Sequence, residues 1–167
     1  MSKSTGEVVD PLTLVDEYGA DIFRYFVMRE MTVGQDAEFS LDRFESRYRA
    51  DLGNDLGNLL SRLLHMCGTY FDSLVPPVQN IEDPESKLIT KWDESRKLGL
   101  KYYGEHQFSL GLEQVSGFIR AINKYADERV PWKLAKSEDP EDLNNLKTCL
   151  GAMVEALRLA NVMLVAV

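Results

Sequence analysis

Apolar residues recur every three or four positions along most of the chain, and this spacing predicts α-helices. The longest such pattern predicts one continuous helix over about residues 41–72. Ser40, directly before it, is a residue type that caps helix N-termini. No segment alternates convincingly between apolar and polar residues, so the pattern predicts no strands. The apolar positions of the long helix are Leu41, Phe44, Tyr48, Leu52, Leu56, Leu59, Leu63 and Tyr70.

Proline and glycine residues separate this long segment from several shorter helical patterns. Asp10 caps a first helix, Pro11 suits its first turn, and Gly19 ends it. Residues 76–84 contain three prolines and form a polar linker. The other predicted helices cover residues 10–19, 21–29, 85–103, 108–129 and 131–136, with a last helix starting at Asp139.

These elements predict an all-α fold, an antiparallel helix bundle behind a short N-terminal appendage. The predicted division places the appendage in residues 1–40 and the bundle in residues 41–167. The buried side of the helix over 85–103 is predicted to contain Leu88, Ile89, Trp92 and Leu98, and that of the last helix Leu143, Leu146, Leu150, Met153, Val154 and Leu157.

The charge balance narrows the possible partners. The chain of 167 residues has 19 basic and 27 acidic side chains, a net charge of −8, which argues against general binding to nucleic-acid phosphates and against a DNA partner. Residues 1–40 carry a net charge of −5, whereas residues 105–137 carry +1. Any RNA contact is therefore expected in the middle of the chain.

Two cysteines, Cys67 and Cys149, are too few for a four-thiolate zinc site, so no metal is predicted. Reduced thiols in a cytoplasmic protein are the expected state. The apolar C-terminal tail contains Glu155 and Arg158, which argues against a membrane span.

The string Ser2-Lys3-Ser4 suits contact with a polyphosphate. Lysine is a mobile point charge, and small neighbours let backbone amides approach phosphate oxygens. An ordinary flexible chain start is the alternative for so short a string.

A polar side of the long helix contains two residues that suit base recognition. Asn58 and Arg62 are four residues apart and point together, and an amide beside a guanidinium matches the edges of unstacked bases. An ordinary solvated face is the alternative, since every amphipathic helix has one. At about 100° per residue, this side contains Asp51, Asn54, Asp55, Asn58, Ser61, Arg62 and His65.

Trp132 follows Pro131 within the basic part of the chain. An indole at a helix start can stack on an unpaired base while nearby cations contact phosphates. A core aromatic is the alternative, and it is the prediction for Trp92. His65 and His106 are expected at the surface. The cations expected to support phosphate contacts are Lys124, Arg129, Lys133 and Lys136.

Several strings together resemble class I aminoacyl-tRNA synthetases. The run from Met1 to Pro11, followed by Tyr18-Gly19-Ala20-Asp21, is similar to their Lys-Met-Ser-Lys-Ser loop and the segment after it, with the first Lys expected before Met1. The strings over 34–40 and 54–62 narrow the resemblance to methionyl-tRNA synthetases. The resemblance covers nearly the whole chain.

The resemblance implies that Asn58, Arg62 and Trp132 contact the anticodon of a methionine tRNA. It also implies that Lys3, with Ser2 and Ser4, binds ATP phosphates in a parent ligase whose catalytic domain precedes this part. The partner motif His-x-Gly-His and a Gly-rich nucleotide fold are absent from the sequence. The chain alone is therefore predicted to be inactive and to hold no cofactor, with ATP a substrate of the parent enzyme.

Two other functions stay open. The bundle is also typical of the class I synthetases for isoleucine, valine, leucine or cysteine. A protein-interaction module without RNA binding is the second alternative, consistent with the acidic balance and any exposed apolar surface.

Overall fold

The computed structural model of the protein describes residues 10–35 and 39–165. Within those ranges every regular element is a helix, which confirms the all-α prediction. The elements are α1 (Pro11–Tyr18), α2 (Ala20–Glu30), α3 (Leu41–Arg47), a π-helix (Tyr48–Gly57), α4 (Asn58–Phe71), α5 (Asp83–Gly104), α6 (Phe108–Arg129), α7 (Pro131–Leu134) and α8 (Pro140–Leu164).

The predicted capping residues begin their helices. The Asp10 carboxylate accepts a hydrogen bond from the Leu12 amide at 3.0 Å, and Asp139 accepts one from Glu141 at 2.9 Å. Gly19 separates α1 from α2 with a φ of +94°, a backbone conformation that side chains strongly disfavour. The sharp turn between these helices therefore depends on glycine.

The main core lies among α4, α5, α6 and α8, with α6 in contact with α2, the π-helix, α5 and α8. Trp92 of α5 packs on Phe118 of α6, with ring centroids 5.2 Å apart, whereas Glu85 at the start of α5 reaches Tyr125 near the end of α6. The two helices thus run antiparallel. The side chains of this main core with no exposed surface are Leu59, Ile122, Cys149, Leu150 and Ala160.

The linker before α5 crosses closely over α8. The Thr148 hydroxyl accepts hydrogen bonds from the backbone amides of Gln79 and Asn80, at 3.2 and 3.4 Å. A Cβ atom at Gly151 would lie 2.5 Å from the Pro76 carbonyl oxygen, so glycine permits this approach. The linker is consequently held against the bundle.

The prediction of one uninterrupted α-helix over 41–72 is wrong in its centre, where residues 48–57 form the π-helix. There, the Asn58 amide donates to the Gly53 carbonyl, five residues back. Two glycines lower the α-helical preference of this segment. A Cβ at Gly57 would lie 2.9 Å from the Leu52 carbonyl oxygen, so the wider helix needs glycine at this position.

Some residues predicted to be buried are exposed instead. Ile89 is 48% exposed, Leu98 40% and Leu143 45%. On α5, the small residues Ser95 and Gly99 occupy the buried side, and a Cβ at Gly99 would clash with Met163. Close helix packing therefore selects small residues there, which a search for large apolar side chains overlooks.

A second, smaller core joins the N-terminal helices to α3. Its buried members are Leu14, Phe26 and Phe44, and the Phe26 and Phe44 ring centroids lie 5.2 Å apart. This cluster crosses the predicted boundary after residue 40, because Phe44 belongs to α3. The boundary itself stays a prediction.

Glu30 also connects α2 with α3, because its carboxylate accepts from Arg43 at 2.6 Å and from Arg47 at 2.5 Å. Burial acts to raise the pKa of Glu30, but the two arginines outweigh it and hold the pKa below its usual value. A depressed folded-state pKa stabilises the fold above the unfolded-state pKa, and this contribution is lost as pH falls through the folded-state pKa.

Glu30→Gln should therefore lower the free energy of unfolding at pH 7 by about 1 kcal/mol. The difference from the unmodified chain should shrink as the pH falls through the folded-state pKa of Glu30. Urea unfolding at several pH values measures this. Glu155→Gln is the matched control, because Glu155 pairs with Arg158 but both are more than half exposed, and its effect should be smaller. Equal losses in the two variants would contradict the role given to Glu30.

Candidate nucleic-acid interface

Asn58 and Arg62 lie in the first turns of α4, directly after the π-helix, and both are exposed. Their separation of four residues places them on the same side of this helix. The interval between them is regular α-helix, so the change in helix type does not alter the predicted pairing. The two side chains therefore share one exposed surface.

Asn123 of α6 joins this surface, although it was not predicted to belong to it. The Arg62 Nη2 atom donates to Asn123 Oδ1 at 2.7 Å, and Asn123 Nδ2 donates to the Asp55 carbonyl at 2.9 Å. The one feature of the sequence that could have identified it is that this amide residue directly follows Ile122 and lies one helical turn after Ile119, both of which are buried. The structure thus connects α4, the π-helix and α6 at one place.

Asp51 does not share the exposed polar side, which corrects its predicted placement. It is 7% exposed, and its Oδ2 accepts from the Tyr25 hydroxyl at 2.8 Å. Arg29 and Arg47 lie within 3.6 and 3.5 Å of the same oxygen. The predicted angle of 100° per residue fails in a π-helix, and the two neighbouring guanidinium groups attract this carboxylate inward.

The remaining members of the predicted polar side are more accessible. Asn54, Ser61 and His65 are exposed, whereas Asp55 is partly buried, 3.9 Å from Arg120. Burial raises the pKa of Asp55 despite the opposing charge of Arg120. His106 is also exposed, as predicted.

Trp132 lies in the short helix α7 and is 38% exposed. The neighbouring Pro131 is buried, and Val130 adopts a left-handed conformation with a φ of +43°, rare for a β-branched residue. Because α7 packs against α8, the turn holds the indole at the surface with part of its area accessible. Trp92, by contrast, packs against the main core, as predicted.

The predicted phosphate-contacting cations differ in their surroundings. Lys124, Lys133 and Lys136 are exposed, with the Lys124 Nζ atom 3.7 Å from Glu128. The Arg129 side chain, only 13% exposed, lies 3.0 Å from Glu82 and 3.1 Å from Glu85. A guanidinium held by two carboxylates is poorly placed for phosphate contact. Arg129 is therefore excluded from the cations that could contact phosphates.

Glu85 is the buried centre of this arrangement, with 1% of its surface exposed. It accepts from the Tyr125 hydroxyl at 2.5 Å and from the Glu82 backbone amide at 3.0 Å. Burial and the adjacent carboxylate raise the pKa of Tyr125, and burial raises that of Cys149 to about 12. Arg129 thus acts as the counter-ion of a buried carboxylate.

The remaining predictions concern the Ser-Lys-Ser string, a metal site and a membrane span. Ser2, Lys3 and Ser4 lie outside the described residues. Over residues 10–35 and 39–165, no three metal-binding side chains cluster. In the same part of the chain, no helix combines the length and apolar character needed to cross a membrane.

Comparison with known proteins gives consistent matches. A family model described as tRNA synthetases class I (M) matches residues 1–64. The methionine–tRNA ligase of Caldanaerobacter subterraneus subsp. tengcongensis is 40% identical over 98% of this chain and 25% of its own length. That of Listeria innocua is 41% identical over 98% of this chain and 24% of its own.

The structure of Mycobacterium tuberculosis methionyl-tRNA synthetase bound by methionyl-adenylate superimposes with a TM-score of 0.92 at 34% identity. The match covers 100% of this chain and 33% of that one. The helical fold and these matches identify a class I tRNA synthetase segment. Within that class, the chain belongs to the methionyl-tRNA synthetase family. It spans about a quarter of the length of the curated relatives it matches.

Replacing Arg129 should destabilise the bundle, because the Glu85 carboxylate would stay buried without its counter-ion. Arg129→Met should lower the free energy of unfolding by about 3 kcal/mol, measured by urea denaturation. Lys133→Met, four residues further along and exposed, is the control and should change stability little. Adding Glu85→Gln to Arg129→Met should recover part of the loss. Full stability of Arg129→Met alone would contradict the counter-ion role.

Proposed function

We propose that this chain supplies the anticodon-recognition surface of a methionine–tRNA ligase. The observation that carries the proposal is the exposed pair Asn58 and Arg62, in which the Arg62 guanidinium is hydrogen-bonded to Asn123 of α6. Membership of the methionyl-tRNA synthetase family supports the choice of a methionine tRNA as partner. The bundle itself is only a scaffold for these side chains.

The proposed contacts divide recognition between base edges, base faces and phosphates. The Asn58 amide donates to and accepts from the edges of splayed anticodon bases, and the Arg62 guanidinium donates to them. The partly exposed Trp132 ring offers a face on which one base stacks. Lys124, Lys133 and Lys136 are exposed cations that can contact phosphates, while the net charge of −8 disfavours binding to unrelated nucleic acids.

The activity of the whole enzyme is part of the proposal. It attaches methionine to tRNA at the expense of ATP, in the cytoplasm, with a catalytic domain that contacts this segment. Lys3, with Ser2 and Ser4, binds the ATP phosphates there, and the Lys3 ammonium stabilises charge that develops during adenylate formation. We propose no cofactor for this part, with ATP a substrate of the whole enzyme.

An interaction surface for another protein is the second candidate, favoured by one observation. An apolar cleft of about 290 Å³ lies between the linker, α5 and α8, and its lining includes Val78, Ile81, Ile89 and Trp92. Exposed apolar surface of this kind often marks a protein contact. It lies apart from Asn58 and Arg62, neither of which lines the cleft.

Binding of a synthetic RNA hairpin with CAU in its loop tests the anticodon proposal. Trp132→Ala should weaken binding by about 1 to 3 kcal/mol, the usual value of base stacking on an aromatic ring. Asn58→Ala and Arg62→Ala should mainly reduce discrimination against hairpins altered at the first two anticodon bases. Fluorescence titration at several salt concentrations measures both effects.

Two lysine variants provide the controls. Lys133→Ala should weaken binding to all hairpins alike and reduce the salt dependence, because it removes a phosphate contact. Lys97→Ala, on the exposed side of α5, should change neither. If the unmodified chain binds the hairpin but the Asn58, Arg62 and Trp132 variants all match it, the proposed surface is wrong.

The chain by itself should not catalyse methionine-dependent exchange between ATP and pyrophosphate, because its sequence contains no nucleotide-binding fold. Measuring exchange with the purified chain checks this, with Lys3→Ala as the matched variant. Exchange above background that is lost in Lys3→Ala would contradict the expectation.

A further inference from the structure

We propose that Asn123 is a positioning residue that presents the Arg62 guanidinium to the RNA base it recognises. The inference rests on the proposed function and adds to it a residue of α6 that touches no base itself. Its basis is the hydrogen bond of 2.7 Å between Arg62 Nη2 and Asn123 Oδ1, which joins residues 61 positions apart in the chain.

The orientation of the Asn123 amide follows from its other contacts. Its Nδ2 group donates to the Asp55 carbonyl at 2.9 Å and to the Ile119 carbonyl at 3.3 Å. Rotating the amide by 180° would turn its oxygen toward two carbonyl oxygens, which cannot donate. The oxygen is thereby directed to Arg62.

A neutral partner suits a residue that must bind RNA. Among the residues the structure describes, no carboxylate lies within 4 Å of the Arg62 guanidinium nitrogens, whereas Arg120 pairs with both Glu113 and Asp55. Asn123 restrains Arg62 without cancelling its positive charge. The other guanidinium N–H groups stay available on an exposed side chain, so they can donate to a base.

The same amide anchors the helix that carries the site. Asp55 belongs to the π-helix, three residues before Asn58 begins α4. One Asn123 side chain thus contacts both the backbone ahead of the pair and the head group of Arg62. Restraining a long side chain before binding reduces the conformational entropy lost when the base is contacted.

The first measurement uses the full chain without RNA. Rotation of the Arg62 guanidinium about its Nε–Cζ bond, followed by nitrogen NMR, should be severalfold faster in Asn123→Ala than in the unmodified chain. Asn161→Ala is the matched control, because the Asn161 amide donates to the Leu157 carbonyl four residues back and has no described arginine contact. Unchanged Arg62 rotation in Asn123→Ala would overturn the positioning role.

The second measurement compares hairpins with CAU and with altered anticodon bases. Asn123→Ala should reduce discrimination between these hairpins about fivefold, because the net contribution of one hydrogen bond is modest. Asn161→Ala should leave it unchanged. The double variant Asn123→Ala/Arg62→Ala should lose little more discrimination than Arg62→Ala alone, because both substitutions act on the same contact between Arg62 and the base. A uniform loss of affinity for every hairpin, with discrimination kept, would overturn the inference.

The outcomes separate this inference from the proposed function. If Arg62→Ala loses discrimination and Asn123→Ala does not, the positioning role is wrong while anticodon recognition stands. If neither variant loses discrimination, both the base contact of Arg62 and its positioning by Asn123 are overturned. Additive losses in the double variant would show that Asn123 acts on binding independently of Arg62, which also contradicts the proposal.

Discussion

The buried carboxylate of Asp51 is the constraint on which the arrangement of the N-terminal helices and the bundle depends. A buried charge is costly unless it is paired, and Asp51 obtains its partners from Tyr25 and Arg29 of α2 and from Arg47 of α3. Arg29 in turn pairs with Glu113 of α6. This single network therefore holds α2, the π-helix and α6 together.

A second buried carboxylate, Glu85, forms a similar network at the other end of α6. Its partners Tyr125 and Arg129 both belong to that helix, and Arg129 directly precedes the left-handed turn at Val130. Asn123 lies on α6 between the segments that serve the two networks. Because these two networks hold α6 near both of its ends, the segment of α6 that carries Asn123 is held in place.

The candidate surface was only partly predictable. Asn58 and Arg62 could be paired from their spacing, and the position of Trp132 after Pro131 in the basic stretch suggested a stacking role. The spacing could not show that Asp51 turns inward, since that requires a π-helix whose geometry departs from 100° per residue. It also could not separate Arg129 from the neighbouring lysines, because all four cations occur in one basic stretch.

The order of the helices, their capping residues and the all-α fold follow from the sequence alone, because helical periodicity, proline and glycine act over only a few residues. The tertiary structure decided the partners of Asp51, Glu85 and Arg62. The Glu85–Tyr125 and Arg62–Asn123 contacts join residues 40 and 61 positions apart, and the Asp51–Tyr25 contact joins residues 26 positions apart. Such pairings have no local signature, because burial and charge compensation arise only when the helices pack.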